Sequence, residues 1–233
     1  MTILLLQLAV TLMTLAFVKG ISILKLVSFL ICWNVTGLNM LKFSNTEWVF
    51  CVLVCACFTV LNYNSLSIGI FKFAKEDILL QPYWEFIMWP FYTLHTLRVI
   101  KAILPSKDEE ADKPSIFSET NRSDLLFNLV AALLMSCLFG VIRDSSTLFI
   151  TSSLLLSLIL IKFHSVHDVA HVVYMQLLGY LIEITGVLSG EWHYPSNPIG
   201  RIPLWFLTMW GSVGFFSYKL VYPIIAELTK PKK

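Results

Sequence analysis

The chain has 233 residues, of which 57% are hydrophobic and 14% charged, and its formal net charge is +2. Soluble domains carry about a quarter charged residues. With a mean hydropathy of +0.74, the composition therefore excludes an ordinary water-soluble domain and predicts a lipid bilayer as the main partner. The small net charge argues against a nucleic-acid partner.

The predicted elements are membrane-spanning helices. A helix rises about 1.5 Å per residue, so a run of about 20 apolar residues crosses a hydrocarbon core about 30 Å thick. We therefore predict an all-α, polytopic membrane protein of about eight transmembrane helices. The spans lie near residues 3–19, 22–41, 47–70, 79–101, 124–142, 145–163, 168–189 and 202–226. The first run lacks the basic start and the small-residue cleavage site of a signal peptide, which favours a retained span.

One long hydrophilic stretch of mixed charge, prolines and turn formers interrupts these spans. It divides the chain into a first four-helix repeat at residues 1–103, a cytosolic linker at 104–123 and a second four-helix repeat at 124–233. The two halves match when the sequence is shifted by 121 residues. The matched pairs are Gly69 with Gly190, Phe71 with Trp192, Phe73 with Tyr194, Pro82 with Pro203, Trp84 with Trp205, and Met88-Trp89 with Met209-Trp210. Such a register predicts a tandem duplication.

The predicted topology follows from the repeat and from the basic residues. Four spans per half is an even number, so the two repeats have the same orientation, related by an axis along the membrane normal. With the N-terminus inside, 11 of the 17 lysines and arginines fall on the inner side and six on the outer side. This asymmetry favours both termini in the cytosol.

Ionisable side chains inside apolar runs are the first candidates for function, because a charge within a membrane is costly. Glu183 and Glu85 each lie about six residues from the same side of the membrane, or roughly 9 Å deep. We predict that they are a catalytic acid–base pair and that Asn62, at a similar level, binds substrate. His95 and His171, roughly 25 Å from that side, are further predicted substrate-binding residues. The alternative is that both glutamates are neutral, hydrogen-bonded contacts between helices.

Each half also carries a Gly-x-aromatic-x-aromatic segment after its third span and a Pro-x-Trp before its fourth. One interpretation is an aromatic belt at the membrane surface, where Trp and Tyr favour the headgroup level. The other is that the aromatic residues line a ligand cavity between the halves. On the second interpretation Trp84, Trp192, Tyr194 and Trp205 are predicted to bind substrate.

The sequence predicts no metal site and no cofactor. His167 and His171 have the i, i+4 spacing of a helical metal pair, and His164 and Asp168 lie nearby. The HExxH glutamate is missing, however, and histidines at a membrane boundary more often form hydrogen bonds. No P-loop or GxGxxG motif is present.

The motifs resemble two protein families. The repeated signature is similar to the GxFxF…PLWxxxLW pattern of an uncharacterised family of small bacterial inner-membrane proteins, which implies a bacterial inner-membrane location. The duplicated unit also resembles the membrane-integral lycopene cyclase domain of carotenoid biosynthesis, in which a carboxylate starts ring closure by protonating an isoprenoid. Glu85 matches the acid after the proline and Glu183 the acid before Gly-x-Trp. Phe206 and Asn62 stand where these acids would repeat.

The resemblance implies an enzyme or binding protein for a hydrophobic isoprenoid or lipid, with cyclisation or isomerisation begun by an intramembrane carboxyl group. Two alternatives stay open: a non-catalytic membrane subunit and a small proton-coupled transporter built from two parallel repeats. The sequence also leaves open a homo- or hetero-oligomer in the membrane.

Overall fold

The computed structural model describes residues 1–33, 42–105, 119–195 and 201–230, with the side chains of 119–121 left out. Over these residues it confirms the all-α prediction. The helices are Thr2–Phe17 (α1), Ser22–Trp33 (α2), Asn45–Ser67 (α3), Glu85–Ile103 (α4), Glu119–Val141 (α5), Ser145–Lys162 (α6), Val166–Ser189 (α7), Trp205–Phe216 (α8) and Tyr222–Leu228 (α9). The π-helical segment Ser217–Val221 joins α8 to α9 in one continuous rod. The end of the predicted second span and most of the predicted linker lie outside the described residues.

Four of these helices are long and apolar enough to cross a membrane: α3, α6, α7 and the part of α5 from Arg122 onward. The helices α1 and α2 are apolar but shorter in the described residues. Much of the apolar surface faces outward; Leu133, for example, is 66% exposed. Lipid tails cover such a surface without the cost that water would impose. The chain is thus a helical membrane protein.

Local hydrogen bonds set where several helices begin. Ser44 and Glu47 form a capping box at the start of α3, in which each side chain accepts from the other residue's backbone N–H, at 3.2 Å and 2.8 Å. At the start of α6 the side chain of Asp144 accepts from the N–H of Thr147 at 2.8 Å. These bonds satisfy N–H groups that have no partner within the helix.

The start of α4 differs from the sequence prediction. The fourth span was predicted to begin near residue 79, whereas α4 begins at Glu85. Leu79 and Leu80 have φ angles of +50° and +60°, in the left-handed region, which a right-handed helix excludes. Gln81 is fully buried, and its side-chain amide donates to a backbone carbonyl of α3 at 3.0 Å. An apolar sequence thus forms an ordered loop here.

Two segments that the sequence analysis singled out pair with each other. Lys72–Phe73 (β1) and Trp192–His193 (β2) form a short antiparallel pair in which Lys72 lies opposite His193 and Phe73 opposite Trp192. Each strand follows a glycine in the left-handed region, Gly69 with φ +77° and Gly190 with φ +78°. Glycine takes this conformation without the steric cost that a side chain brings.

The described chain divides into two compact units. The first comprises Met1–His95 with Leu177–Pro203, and the second comprises Thr96–Gln176 with Leu204–Lys233. The first unit contains β1, β2 and both buried glutamates. In the second unit an apolar core forms between α5, α6, α7 and α8, from Ala131, Met135, Leu156, Ile159, Phe163, Val172 and Phe215.

Close packing between α7 and α8 in the second unit depends on a glycine. A Cβ atom placed on Gly214 would lie 2.5 Å from the backbone oxygen of His171 and 2.6 Å from the Cβ atom of Met175. Neither atom can move without shifting α7. Three residues earlier, a Cβ atom on Gly211 would meet only side-chain atoms, including those of Gln176 at 3.0 Å.

Gly214→Ala is therefore expected to lower the free energy of unfolding by about 1–3 kcal/mol, because overpacking forces the backbones apart. The measurement is equilibrium unfolding in mixed micelles of rising SDS content. Gly211→Ala is the matched control and is expected to cost less, since the flexible Gln176 side chain can move. Equal losses for the two variants would contradict this account of the helix contact.

Candidate functional site

The first compact unit contains two buried carboxyl groups. Glu85 is the first residue of α4 and Glu183 lies in the last two turns of α7. Their side chains are 8% and 6% exposed. They are near enough for their charges to interact electrostatically. The two glutamates that were predicted as an acid–base pair therefore both lie buried in the first unit.

Glu183 is held by two donors from the segment that follows its own helix. The indole N–H of Trp192 donates to Oε2 of Glu183 at 2.9 Å, and the hydroxyl of Tyr194 donates to the same oxygen at 2.7 Å. A carboxylate accepts hydrogen bonds without donating any, so two donors on one oxygen suit its ionised form. The chain turns back at Gly190, which brings both donors onto α7.

The position of Trp192 depends on a missing side chain. A Cβ atom on Gly186 would lie 1.9 Å from the ring of Trp192, well inside van der Waals contact. The indole therefore occupies the place that any larger residue at position 186 would fill. Glycine one helical turn after Glu183 thus allows the indole N–H to reach the carboxylate.

Glu85 is held from α3. The side-chain amide of Asn62 donates to Oε1 of Glu85 at 2.9 Å. Asn62 itself is buried, at 8% exposure. The structure thus joins the predicted polar residues of the third and fourth spans by a direct hydrogen bond.

Aromatic rings surround this acid pair. The rings of Phe73 and Trp84 meet edge to face with their centroids 5.8 Å apart, and the centroids of Phe73 and Trp192 are 6.0 Å apart. Trp84 and Trp192 are 6.3 Å apart. Such distances lie within the range of favourable aromatic contact. Of the aromatic residues that the sequence placed in a surface belt or a cavity wall, Trp84, Trp192 and Tyr194 are buried in the same unit as the carboxyl groups.

Tyr194 lies in the segment after β2, outside the helices. Burial, together with the negative charge of Glu183, raises the pKa of its hydroxyl well above the usual range. The hydroxyl therefore keeps its proton across the pH range in which proteins are normally handled. Its role as a donor to Glu183 is correspondingly constant.

The other predicted site residues have different surroundings. His95 is buried in the first unit and stacks on Phe91 at 5.4 Å. Trp205 belongs to the second unit, where it contacts Phe139 at 5.8 Å. His171, also in the second unit, stacks on Tyr218 with the centroids 3.9 Å apart and the planes 8° from parallel.

The histidine cluster at the start of α7 is organised by hydrogen bonds and an ion pair. Nδ1 of His171 lies 2.7 Å from the backbone oxygen of His167, so Nδ1 is the protonated nitrogen. Nε2 of His167 lies 2.9 Å from the backbone oxygen of Leu104. Asp168 pairs with Lys219 at 3.0 Å. Within the described ranges no group of three or more His, Cys, Asp and Glu side chains has the arrangement of a metal site.

Sequence reasoning missed one charged pair in the first unit. Lys25 lies in α2 at 1% exposure, and its ammonium forms an ion pair with Glu191, which directly precedes β2. The ammonium also lies 5.5 Å from the centroid of a Trp84 ring. A lysine within an apolar run signals a partner, but the sequence alone does not say which carboxylate it meets.

Tyr194→Phe tests the anchoring of Glu183. Removing the hydroxyl leaves a buried carboxylate with one donor fewer, so the free energy of unfolding is expected to fall by about 1–3 kcal/mol. Unfolding in SDS mixed micelles measures the loss. Tyr63→Phe, at an exposed tyrosine of α3, is the matched control and should change stability by less than about 0.5 kcal/mol. If both variants lose the same free energy, the Tyr194 hydroxyl does not anchor the carboxylate.

Comparison with known proteins gives a structural match without a family assignment. No protein-family model matches the chain, and no curated protein matches it. The fold is similar to that of MvINS in the crystal structure of a cross-linked trimer at 1.9 Å resolution, with a TM-score of 0.62. The match covers 82% of this chain and 98% of that chain at 12% sequence identity. At this identity the likeness concerns the fold alone.

Proposed function

We propose that the chain binds a hydrophobic ligand of the isoprenoid or lipid class beside Glu85 and Glu183 and acts on it by acid–base chemistry within the membrane. The observation that carries the proposal is the pair of buried carboxyl groups with unequal partners. The indole N–H of Trp192 and the hydroxyl of Tyr194 converge on one oxygen of Glu183, whereas Glu85 accepts from the amide of Asn62 and lies near the indole of Trp89. Unequal surroundings assign unequal roles to two carboxyl groups of one site.

Because their hydrogen-bond partners differ, the two glutamates would take different roles in the proposed reaction. Two ionised carboxylates close together in an apolar interior would repel strongly, so one proton held by the pair lowers the energy. The donors on Glu183 favour leaving that proton on Glu85. Glu85 then acts as the acid, and Glu183 as the carboxylate that stabilises positive charge and takes a proton back.

The proposed reaction is an isomerisation, so its atoms balance without a co-reactant. Glu85 gives its proton to an alkene carbon or an epoxide oxygen of the ligand. The resulting carbocation is attacked by a second double bond, which forms a carbon–carbon bond and moves the positive charge along the chain. A neighbouring carbon then loses a proton to the carboxylate pair, which restores one proton on the two groups.

The aromatic rings support this chemistry. The π face of an aromatic ring attracts a cation, and the attraction grows where water is absent. Trp84 and Trp192 are buried next to the carboxyl groups and in contact with each other. They would stabilise a carbocation without trapping it as a covalent adduct, and they would exclude the water that would otherwise quench it.

We propose that the architecture is a tandem duplication, and we place both termini in the cytosol from the distribution of basic residues alone. The structural support for the duplication is local: Gly69 and Gly190, equivalent under the repeat, have φ angles within 1° of each other. Lys72 and His193 are also repeat equivalents, and they lie opposite each other in the strand pair. A pairing of equivalent residues is the pattern that a two-fold axis between related segments produces.

A second candidate function is a non-catalytic membrane subunit. The observation that favours it is the double donation to Oε2 of Glu183, which would fasten β2 to α7 even if no ligand were bound. On this account the glutamates are internal contacts and the ligand is absent. The two candidates differ in what a carboxyl-to-amide substitution does to lipid chemistry.

Glu85→Gln is expected to lower turnover about 10²–10⁴-fold, because an amide cannot donate the initiating proton. Purified protein in nanodiscs is incubated with squalene or with its terminal epoxide, and cyclised products of unchanged mass are separated by liquid chromatography and detected by mass spectrometry. Glu76→Gln, at an exposed glutamate of the loop before α4, is the matched control and should leave turnover unchanged.

The outcomes separate the two candidates. Cyclised product from the wild type and the control but not from Glu85→Gln supports the acid role. If the wild type neither converts nor retains either probe, the isoprenoid proposal fails and the non-catalytic subunit is favoured. Equal turnover by wild type and Glu85→Gln would remove Glu85 from the chemistry.

A further inference from the structure

The ion pair between Lys25 and Glu191 leaves part of the lysine unsatisfied. An ammonium group has three N–H donors and no acceptor. In the described part of the chain, the carboxylate of Glu191 is the acceptor that approaches the Lys25 ammonium. The remaining N–H groups of that ammonium have no hydrogen bond of good geometry there. Because the side chain is 1% exposed, bulk water does not supply the missing acceptors.

A small pocket lies beside this ammonium. Its volume is about 10 Å³, and Ser22, Lys25, Lys75, Trp84 and Glu191 are among the residues that line it. That volume admits about one water-sized group. The walls combine ammonium groups, a hydroxyl and a carboxylate with an aromatic face, so an oxygen atom suits the pocket better than a methyl group.

The charges around the pocket favour an anion. Lys19 is near enough to interact electrostatically with Lys25, and Lys75 contacts the backbone oxygen of Gly20 at the pocket. Among the charged residues that line the pocket, Lys25 and Lys75 are cationic and Glu191 is anionic, which leaves one positive charge in excess. A neutral water would satisfy the donors of Lys25 but would leave that excess unbalanced.

We propose that this lysine pocket binds a phosphate group. One phosphate oxygen occupies the pocket and accepts from the buried ammonium of Lys25, while the exposed Lys75 and Lys19 hold the remaining oxygens outside it. Lysine suits this task, because its compact charge attracts phosphate without demanding one planar geometry. The phosphate comes either from a lipid headgroup at the membrane surface or from free phosphate. The proposal does not depend on the chemistry proposed for Glu85.

The test uses the full chain in phosphatidylcholine nanodiscs, with three probes added separately: phosphatidylglycerol, extra phosphatidylcholine and inorganic phosphate. Native mass spectrometry and thermal unfolding measure binding. Lys75→Gln is expected to weaken phosphatidylglycerol binding about tenfold, the effect of losing one charge-assisted contact. Lys72→Gln is the matched control: it removes an exposed lysine of β1 that does not line the pocket, and binding should change less than about twofold.

Lys25 itself is not substituted. Removing one member of a buried ion pair would leave the charge of Glu191 unpaired and would destabilise the fold. Lys19→Gln is the second test variant and is expected to weaken binding in the same direction as Lys75→Gln. A preference for phosphatidylglycerol that depends on Lys75 and not on Lys72 supports a lipid headgroup. Binding of inorganic phosphate with the same dependence supports free phosphate.

Two results would overturn the proposal. One is equal binding of phosphatidylglycerol and phosphatidylcholine together with no effect of inorganic phosphate, which would leave water as the occupant. The other is an equal loss of binding in Lys72→Gln and Lys75→Gln, which would mean that the general surface charge, and no defined pocket, attracts the anion.

Discussion

A carboxylate inside an apolar helix is costly, and the arrangement of the first compact unit follows from how the carboxylate of Glu183 is satisfied. Its donors, Trp192 and Tyr194, come from the segment that leaves the same helix. For them to reach back, the chain must turn sharply at Gly190, and the indole must lie against the bare backbone at Gly186. The two hydrogen bonds to Oε2 of Glu183 thereby fix the path of the chain from Glu183 to Tyr194.

That path in turn organises the rest of the acid pair's surroundings. With Trp192 fixed, β2 pairs with β1, and the ring of Phe73 packs against the rings of both Trp84 and Trp192. Trp84 immediately precedes Glu85, so its burial helps to hold the first turn of α4 next to Asn62. Each contact is worth about 1 kcal/mol on its own. Because they share partners, the loss of one is expected to weaken the others.

The sequence predicted the members of this site better than their partners. Apolar periodicity indicates which residues are buried, and helical rise places Glu85, Glu183 and Asn62 at one depth. Neither signal says which donor meets which carboxylate, because that depends on contacts between residues far apart in the chain. The pairing of Asn62 with Glu85 spans 23 positions. The start of α4 was placed too early for a related reason: an apolar loop and an apolar helix have the same composition.

The second unit shows the same limit at the histidines. Their spacing along α7 indicated one shared face, and His171 does lie on a buried face of α7. Its partner, however, is the ring of Tyr218, which belongs to the π-helical segment between α8 and α9. A π turn inserts one residue into a helix and shifts the side chains that follow, a change that no periodic pattern forecasts. Lys219, the next residue, is thereby brought to Asp168.

The first unit buries charges in two different combinations, and the difference explains why the proposed chemistry is assigned to one of them. Lys25 and Glu191 have opposite charges, so burying them together leaves no net charge and no reason to exchange a proton. Glu85 and Glu183 have like charges, so the same burial is tolerable when the two groups share one proton. A proton that is shared can also be given away and recovered. The like-charged pair therefore has the electrostatics that the proposed acid–base chemistry requires, and the oppositely charged pair, with its unsatisfied donors, has those that the proposed phosphate site requires.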